Sequence, residues 1–67
     1  MKPITFSELA NLYFGEYSAV WARKQMLRLM QANPTLMDEF AGVPYRHRTF
    51  RFTPRQLEII YEQLGEP

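Results

Sequence analysis

Residues 18–32 read SAVWARKQMLRLMQA and form the longest uninterrupted helical pattern in the chain. Ser18 offers a side-chain oxygen that suits the N-cap of a helix. Neither glycine nor proline interrupts the fourteen residues that follow it. The stretch therefore predicts a helix at 18–32.

At about 100° per residue, this helix has two distinct faces. The apolar face is predicted to hold Ala19, Ala22, Met26, Leu29 and Met30, widened by Val20 and Leu27. The opposite face is predicted to hold Trp21, Lys24, Gln25, Arg28 and Gln31. A tryptophan among basic and amide side chains is unusual on a free surface, so this face indicates contact with a partner.

The length and composition limit what the chain can be. Sixty-seven residues allow one domain, at 1–67, with one small core. With no cysteine and a single histidine, His47, the chain offers no disulfide framework and no thiolate metal site, and we expect no cofactor. It also lacks a signal-peptide pattern and an apolar run of the ~18 residues that span a bilayer. We therefore expect a complete cytoplasmic protein.

The net charge is only +1, but the charges are unevenly distributed. Residues 20–55 hold seven lysines and arginines against two acidic residues, a net charge of +5. The remainder holds one lysine against five glutamates, a net charge of −4. This distribution favours one positive face, and ordinary surface pairing of the two sets of charges is the alternative.

A first helix is predicted at about 6–14. The sequence Thr5-Phe6-Ser7-Glu8 is typical of a capping box, in which the first and last residues cap each other. Gly15 can adopt a positive φ without steric strain and is expected to end the helix. Because only two residues then precede Ser18, the first and second helices must pack against each other at a steep angle.

Two more helices are predicted at about 34–41 and 54–64. Each has a proline at its first position, and the residue before a proline avoids the helical region. Glycines at 42 and 65 are expected to end them. The positions predicted to face inward in the three shorter helices are Phe6, Leu9, Ala10, Tyr13, Leu36, Phe40, Leu57, Ile60, Tyr61 and Leu64. Ile59 lies off this stripe.

Aromatic residues and arginines alternate between residues 43 and 52, as in a β-strand. The alternation changes register, because Tyr45 and His47 share one face whereas Phe50 and Phe52 share the other. A turn between residues 47 and 49 would account for the change. The segment is thus predicted to form either a short hairpin or an extended loop before the last helix.

The two helices between Leu9 and Arg28 resemble a helix-turn-helix. The residues that carry the resemblance are Leu9, Ala10, Gly15, Ser18 and Val20. In that family the second helix enters the major groove and presents its N-terminal residues to base edges. The resemblance implies that the residues pointing at DNA are Ala19, Trp21, Lys24, Gln25 and Arg28. The chain departs from the pattern at Arg23, where an apolar core residue is more usual, and its turn glycine comes one residue late.

The sequence Phe50-Arg51-Phe52-Thr53-Pro54 resembles the wing-to-helix passage of mercury-resistance-type regulators and phage excisionases. In those winged-helix-like proteins an arginine-bearing wing contacts the DNA backbone. The resemblance implies that the phosphate-binding residues are Arg46, Arg48 and Arg51. Such contacts fix the position of a protein on DNA and make its binding fall steeply with salt.

The whole chain also resembles a family of short uncharacterised proteins from Bacteroides-type bacteria, a domain of unknown function. The matching stretches are Glu8-Leu9-Ala10 with Tyr13-Phe14, and the ending from Thr53 to Pro67. The resemblance implies a bacterial origin and a helix-turn-helix-like fold. The predicted fold is therefore mainly α, a small four-helix domain with a helix-turn-helix-like core and a short extended or hairpin segment before the last helix.

The leading functional hypothesis is a DNA-binding protein, either a transcriptional regulator or an accessory factor, whose partner is double-stranded DNA. Its predicted site consists of Trp21, Lys24, Gln25, Arg28, Arg46, Arg48 and Arg51. The alternative is a protein-interaction module or homodimer that uses Trp21 and Ile59. No nucleophile pattern accompanies His47 and no glycine-rich phosphate loop is present, so we expect neither an enzyme nor a small-molecule ligand.

Several residues have alternative interpretations. Trp21 is either exposed or covered, with its ring on Arg46 or Arg48 in a cation–π contact worth about 0.5–1 kcal/mol. Arg23, on the apolar side of its helix, either extends to solvent or pairs with an acid such as Glu8. Aromatic residues expected to lie mostly in the core are Tyr45, Phe50 and Phe52.

Overall fold

A computed structural model describes residues 3–67 and contains four helices and two short strands in that range. In chain order they are β1 (Ile4–Thr5), α1 (Phe6–Phe14), α2 (Ala19–Ala32), α3 (Pro34–Glu39), β2 (Arg51–Phe52) and α4 (Pro54–Leu64). The predicted mainly helical fold is confirmed. Helix α3 is two residues shorter than predicted, because Phe40 leaves the helical region with φ −105° and ψ 15°.

Capping boxes start the first and last helices. The backbone N–H of Glu8 donates to Oγ1 of Thr5 at 3.1 Å, and the Thr5 N–H donates to Oε1 of Glu8 at 2.9 Å. Thr53 and Gln56 make the same two bonds at the start of α4, at 3.2 and 2.9 Å. Each box satisfies two backbone amides that have no partner within the helix, so the local sequence fixes where both helices begin.

Side-chain oxygens also start the two middle helices. Ser18 Oγ accepts from the backbone N–H of Trp21 at 3.2 Å, which confirms Ser18 as the N-cap of α2. Asn33 Oδ1 accepts from the N–H of Leu36 at 3.0 Å and starts α3. Asn33 is also the C-cap of α2, with an extended backbone before Pro34. The chain therefore passes from α2 to α3 without a loop.

Gly15 follows the end of α1 for a different reason from the one the sequence suggested. Its φ of −66° and ψ of −12° are ordinary helical values, so the expected positive φ is wrong. A Cβ at this position would lie 2.5 Å from the carbonyl oxygen of Asn11. Glycine is required here because the backbone approaches the end of α1 too closely for any side chain.

The extended segment before α4 pairs with the start of the chain. Strands β1 and β2 are antiparallel, with Ile4 opposite Phe52 and Thr5 opposite Arg51. Of the two predicted alternatives, the extended conformation is found at residues 51–52, whose partner strand is N-terminal, while residues 43–50 form turns and irregular backbone. The turn expected at residues 47–49 is present, since the Phe50 N–H donates to the His47 carbonyl at 2.9 Å.

The core lies where the four helices and the 43–52 segment meet. It consists of Phe6, Leu9, Ala10, Ala22, Met26, Met30, Leu36, Phe40, Tyr45, Phe52, Leu57 and Ile60. Four of these are aromatic, and the ring centroid of Phe40 lies 5.6 Å from that of Tyr45 and 5.8 Å from that of Phe52. Tyr45 and Phe52 are buried, as predicted, while Phe50 is half-buried against the core.

Helix α2 buries a narrower face than the periodicity predicted. Ala22, Met26 and Met30 are buried, but Ala19 and Leu29, predicted to face inward, are exposed. Val20 and Leu27, predicted to widen this face, are exposed and half-buried respectively. The buried residues lie at positions i, i+4 and i+8 and form one line along α2, so the positions on either side of that line remain exposed or half-buried.

The sequence did not decide the positions of two other side chains, which lie beside the core. Arg23 is half-buried, and the ion pair found among residues 3–67 joins other residues, so Arg23 does not pair with Glu8 but extends to solvent. Ile59, predicted to lie off the inner stripe, is half-buried and packs against the core. Within residues 3–67 no helix combines the length and the apolar character needed to cross a membrane.

Replacing Phe52 with Ala should destabilise the domain by about 3–5 kcal/mol, because Phe52 is fully buried and contacts three other core rings. The neighbouring exposed residue provides the control, since Arg51→Ala should change stability by less than about 0.5 kcal/mol. Urea denaturation measures both. A loss below about 1 kcal/mol for Phe52→Ala would contradict this core.

The capping box of α1 should make the stability of the domain depend on pH. The Thr5 backbone N–H, and to a smaller extent the Thr5 side chain and the Arg51 charge, lower the pKa of Glu8 from its usual value of 4.5. The ionised Glu8 carboxylate therefore stabilises the folded state at pH values above its unfolded-state pKa. This stabilisation is lost as the pH falls through the lower pKa of the folded state.

Glu8→Gln keeps an acceptor for Thr5 but cannot titrate. The wild-type protein should therefore lose its stability advantage over this variant as the pH falls from about 6 to about 3, measured by urea denaturation at each pH. Parallel stability curves for the two proteins, or a Glu8 pKa at or above 4.5 in an NMR titration, would contradict the interpretation.

Candidate nucleic-acid interface

The outward side of α2 presents three of the predicted site residues to solvent. Trp21, Lys24 and Arg28 are exposed and lie at positions i, i+3 and i+7, so they share one side of the helix. Gln25 is half-buried at the edge of the same side. Residues 17–37 contain no aspartate or glutamate, so all charged side chains of α2 are cationic.

Trp21 packs within the α1–α2 unit. Its ring centroid lies 4.1 Å from that of Tyr17 at an angle of 42°, and 5.7 Å from that of Phe14 at 84°. Trp21 keeps 39% of its surface exposed. The sequence left open whether Arg46 or Arg48 covers this ring. Instead, the ring packs on Phe14 at the end of α1 and on Tyr17, the residue before the N-cap.

Tyr17 is a surface residue that sequence reasoning did not include in the site. It is 57% exposed and forms, with Trp21, an aromatic pair at the start of α2. The available signal is the spacing of four residues between Tyr17 and Trp21, on either side of the Ser18 N-cap. Ser18 has an extended backbone, so Tyr17 does not continue the line of α2; an apolar residue directly before the N-cap often packs back against the start of the helix.

We call residues 46–51 the arginine arm. Its side chains at Arg46, Arg48 and Arg51 are exposed, while the flanking residues Tyr45 and Phe52 are buried in the core. Its backbone is fixed as well, because two of its carbonyls accept hydrogen bonds from the start of α1, at 2.8 and 3.1 Å. The arm therefore presents flexible cationic side chains on a rigid backbone.

The cations of α2 and of the arm are not neutralised by neighbouring carboxylates. In the described part of the chain, at residues 3–67, the one ion pair is Arg55 with Glu58, at 3.4 Å on the surface of α4. The charge of Arg51 contributes to the lowered pKa of Glu8, after the larger effect of the Thr5 hydrogen bonds. Lys24, Arg28, Arg46 and Arg48 remain available for an anionic partner.

Three of the seven acidic residues lie along α4 and just after it. Glu58, Glu62 and Glu66, with Tyr61, line an open depression of about 260 Å³. Burial and the charge of Glu66 raise the pKa of Tyr61, and burial, followed by Tyr61 and Glu66, raises the pKa of Tyr13 to about 12. Between residues 3 and 67 no cluster of three His, Cys, Asp or Glu side chains is arranged to hold a metal ion.

Helix α1 connects the two cationic segments. Its first residues, Phe6 and Ser7, donate hydrogen bonds to the arm, and its last residue, Phe14, contacts Trp21 at the start of α2. A helix of nine residues spans about 13 Å. The arm and the start of α2 are thus held at opposite ends of one short, rigid element within a molecule 28 Å across.

Comparison with known proteins gives one match. No curated protein and no solved structure matches the chain. The family described as Domain of unknown function (DUF4248) matches it over residues 1–67, which confirms the resemblance to a domain of unknown function. The chain is therefore a member of this family, which covers its whole length.

Proposed function

We propose that this protein binds double-stranded DNA, with α2 in the major groove and the arginine arm on the phosphate backbone. The observation that carries the proposal is the exposed side of α2, which holds Lys24 and Arg28 and no carboxylate. The role we propose is that of a transcriptional regulator or accessory factor. A cytoplasmic location follows from this role, because a bacterial chromosome lies in that compartment.

The dimensions of α2 support this mode of binding. The helix has fourteen residues, a length of about 21 Å, and the major groove is about 12 Å wide, which admits one helix. The link from α1 to α2 is only four residues long, at 15–18, and Trp21 packs across it onto Phe14. The two helices therefore form a rigid pair of the kind that helix-turn-helix proteins use.

The arginine arm supports phosphate binding by a different argument. Its backbone is already ordered by bonds to α1, so binding would immobilise only the side chains of Arg46, Arg48 and Arg51. Guanidinium groups bind phosphate oxygens through paired hydrogen bonds. A winged-helix-like arrangement, with β1 and β2 at the base of the arm, is part of the proposal.

A second candidate function is a homodimer or a protein-interaction module. Tyr17, Val20 and Trp21 favour it, because these apolar side chains are 57%, 55% and 39% exposed at one end of α2. Ile59 does not contribute as the sequence suggested, since it is half-buried against the core. The apolar surface available to such a partner therefore lies at the start of α2.

Fluorescence anisotropy with a random-sequence duplex across a salt series tests DNA binding. Each phosphate contact contributes a slope of about −0.9 to the dependence of log K on log salt concentration, so five contacting cations predict a slope of about −4 to −5. Arg28→Ala should weaken binding to all sequences and reduce the magnitude of the slope by about 1.

Arg55→Ala is the matched control, because it removes the same charge from an exposed position that lies on α4 and is paired with Glu58. It should leave both the affinity and the slope unchanged. The proposal fails if no binding is found at about 50 mM salt, or if Arg28→Ala and Arg55→Ala weaken binding equally.

Light scattering over a range of protein concentrations tests the second candidate. A homodimer through the start of α2 predicts a mass that rises from 8.0 kDa toward twice that value, and Tyr17→Ser should restore the monomer. Leu12→Ser, at a similarly exposed apolar position on α1, is the control and should leave the dimer intact. A constant mass of 8.0 kDa up to about 1 mM protein contradicts the homodimer, because a dimer with a dissociation constant below that concentration would raise the measured mass.

A further inference from the structure

One ridge of α2 changes from apolar to basic along its length. Val20, Lys24 and Arg28 lie at positions i, i+4 and i+8, and all three are exposed. Trp21 lies beside Val20 at the apolar end, and Ala19 precedes them. The first turn of the helix therefore presents methyl groups and an aromatic ring, and the second and third turns present cations.

The apolar end of this ridge has little capacity to recognise bases by hydrogen bonds. Ala19 and Val20 have no polar side-chain atoms, and Ser18 Oγ is occupied as an acceptor for the Trp21 N–H. Where this end covers the polar edges of base pairs, their donors and acceptors are buried without partners, which is unfavourable for A·T and G·C pairs alike. The major groove offers one apolar group, the C5-methyl of thymine.

We propose that the first turn of α2 recognises thymine methyl groups in the major groove, with Val20 and Trp21 as the residues that determine specificity. This inference rests on the proposed DNA-binding function and adds its sequence preference. Lys24 and Arg28 supply affinity through phosphates and do not distinguish the bases. The protein selects sites in which A·T pairs lie beneath the N-terminal end of α2.

The test compares two pools of random-sequence duplex DNA, one copied with thymidine and one with deoxyuridine, which lacks only the methyl group. Burial of one methyl group corresponds to about a fourfold change in affinity, so the thymidine pool should bind about four times more tightly for each methyl contacted. A third pool with 5-methylcytosine in place of cytosine adds a methyl at the same position in the groove. It should bind more tightly than the unmethylated pool.

Three variants test which residues of α2 produce the preference for the thymidine pool. Val20→Ser should reduce the ratio of affinities for the thymidine and deoxyuridine pools toward one, because it removes the methyl groups that face the groove. Lys24→Ala should weaken binding to both pools by the same factor and leave the ratio unchanged. Leu29→Ser is the matched control, since Leu29 is an exposed apolar residue of α2 outside the ridge, and it should leave the ratio unchanged.

The outcomes separate this inference from the function on which it rests. Equal affinity for the thymidine and deoxyuridine pools, with salt-dependent binding to both, overturns methyl recognition and leaves DNA binding in place. A ratio that Val20→Ser and Leu29→Ser reduce equally also overturns it. Absence of binding to every pool overturns the proposed function and the inference together.

Discussion

The backbone amides at the start of α1 find their acceptors in the segment that precedes α4, and the rest of the structure depends on this pairing. Phe6 and Ser7 donate to the carbonyls of Phe50 and Arg48, while Thr5 and Glu8 satisfy each other in the capping box. All four amides would otherwise be unpaired, as they are at the start of any helix. The bonds hold residues from opposite ends of the sequence together and bring Phe52 and Tyr45 onto Phe6.

The same pairing gives the protein its proposed binding surface. Residues 46–51 have a fixed backbone between two buried aromatic anchors, so their arginine side chains are the parts that point outward. At its other end, α1 holds α2 through Phe14 and Trp21. Three of the seven acidic residues lie apart from this surface, along α4 and just after it. The molecule is thus nearly neutral overall, yet it keeps a cationic helix face and a cationic arm that ion pairs within residues 3–67 do not neutralise.

Features that depend on local chemistry could be predicted from the sequence. The helix starts at Thr5, Ser18, Asn33 and Thr53 follow from side-chain caps and prolines, and the structure confirms all four. The pairing of β1 with β2 could not be predicted, because two-residue strands carry no periodic signal and their partners are far apart in sequence. The exposure of Leu29 was also missed, since it depends on how wide a face of α2 the rest of the fold covers. Among the predicted site residues, helical spacing predicted the exposure of Lys24 and Arg28, whereas the packing of Trp21 on Tyr17 required the geometry of the α1–α2 link.

The most direct test of the central claim, that α2 and the arginine arm form one DNA-binding surface, is an NMR titration of the isotope-labelled protein with a short duplex. The indole N–H of Trp21, the only tryptophan, reports on the start of α2. The account predicts shift changes at this group, along residues 21–28 and in residues 46–51, with none at the acidic residues Glu58, Glu62 and Glu66. Shift changes that spare α2, or that are largest at the end of α4, would contradict it.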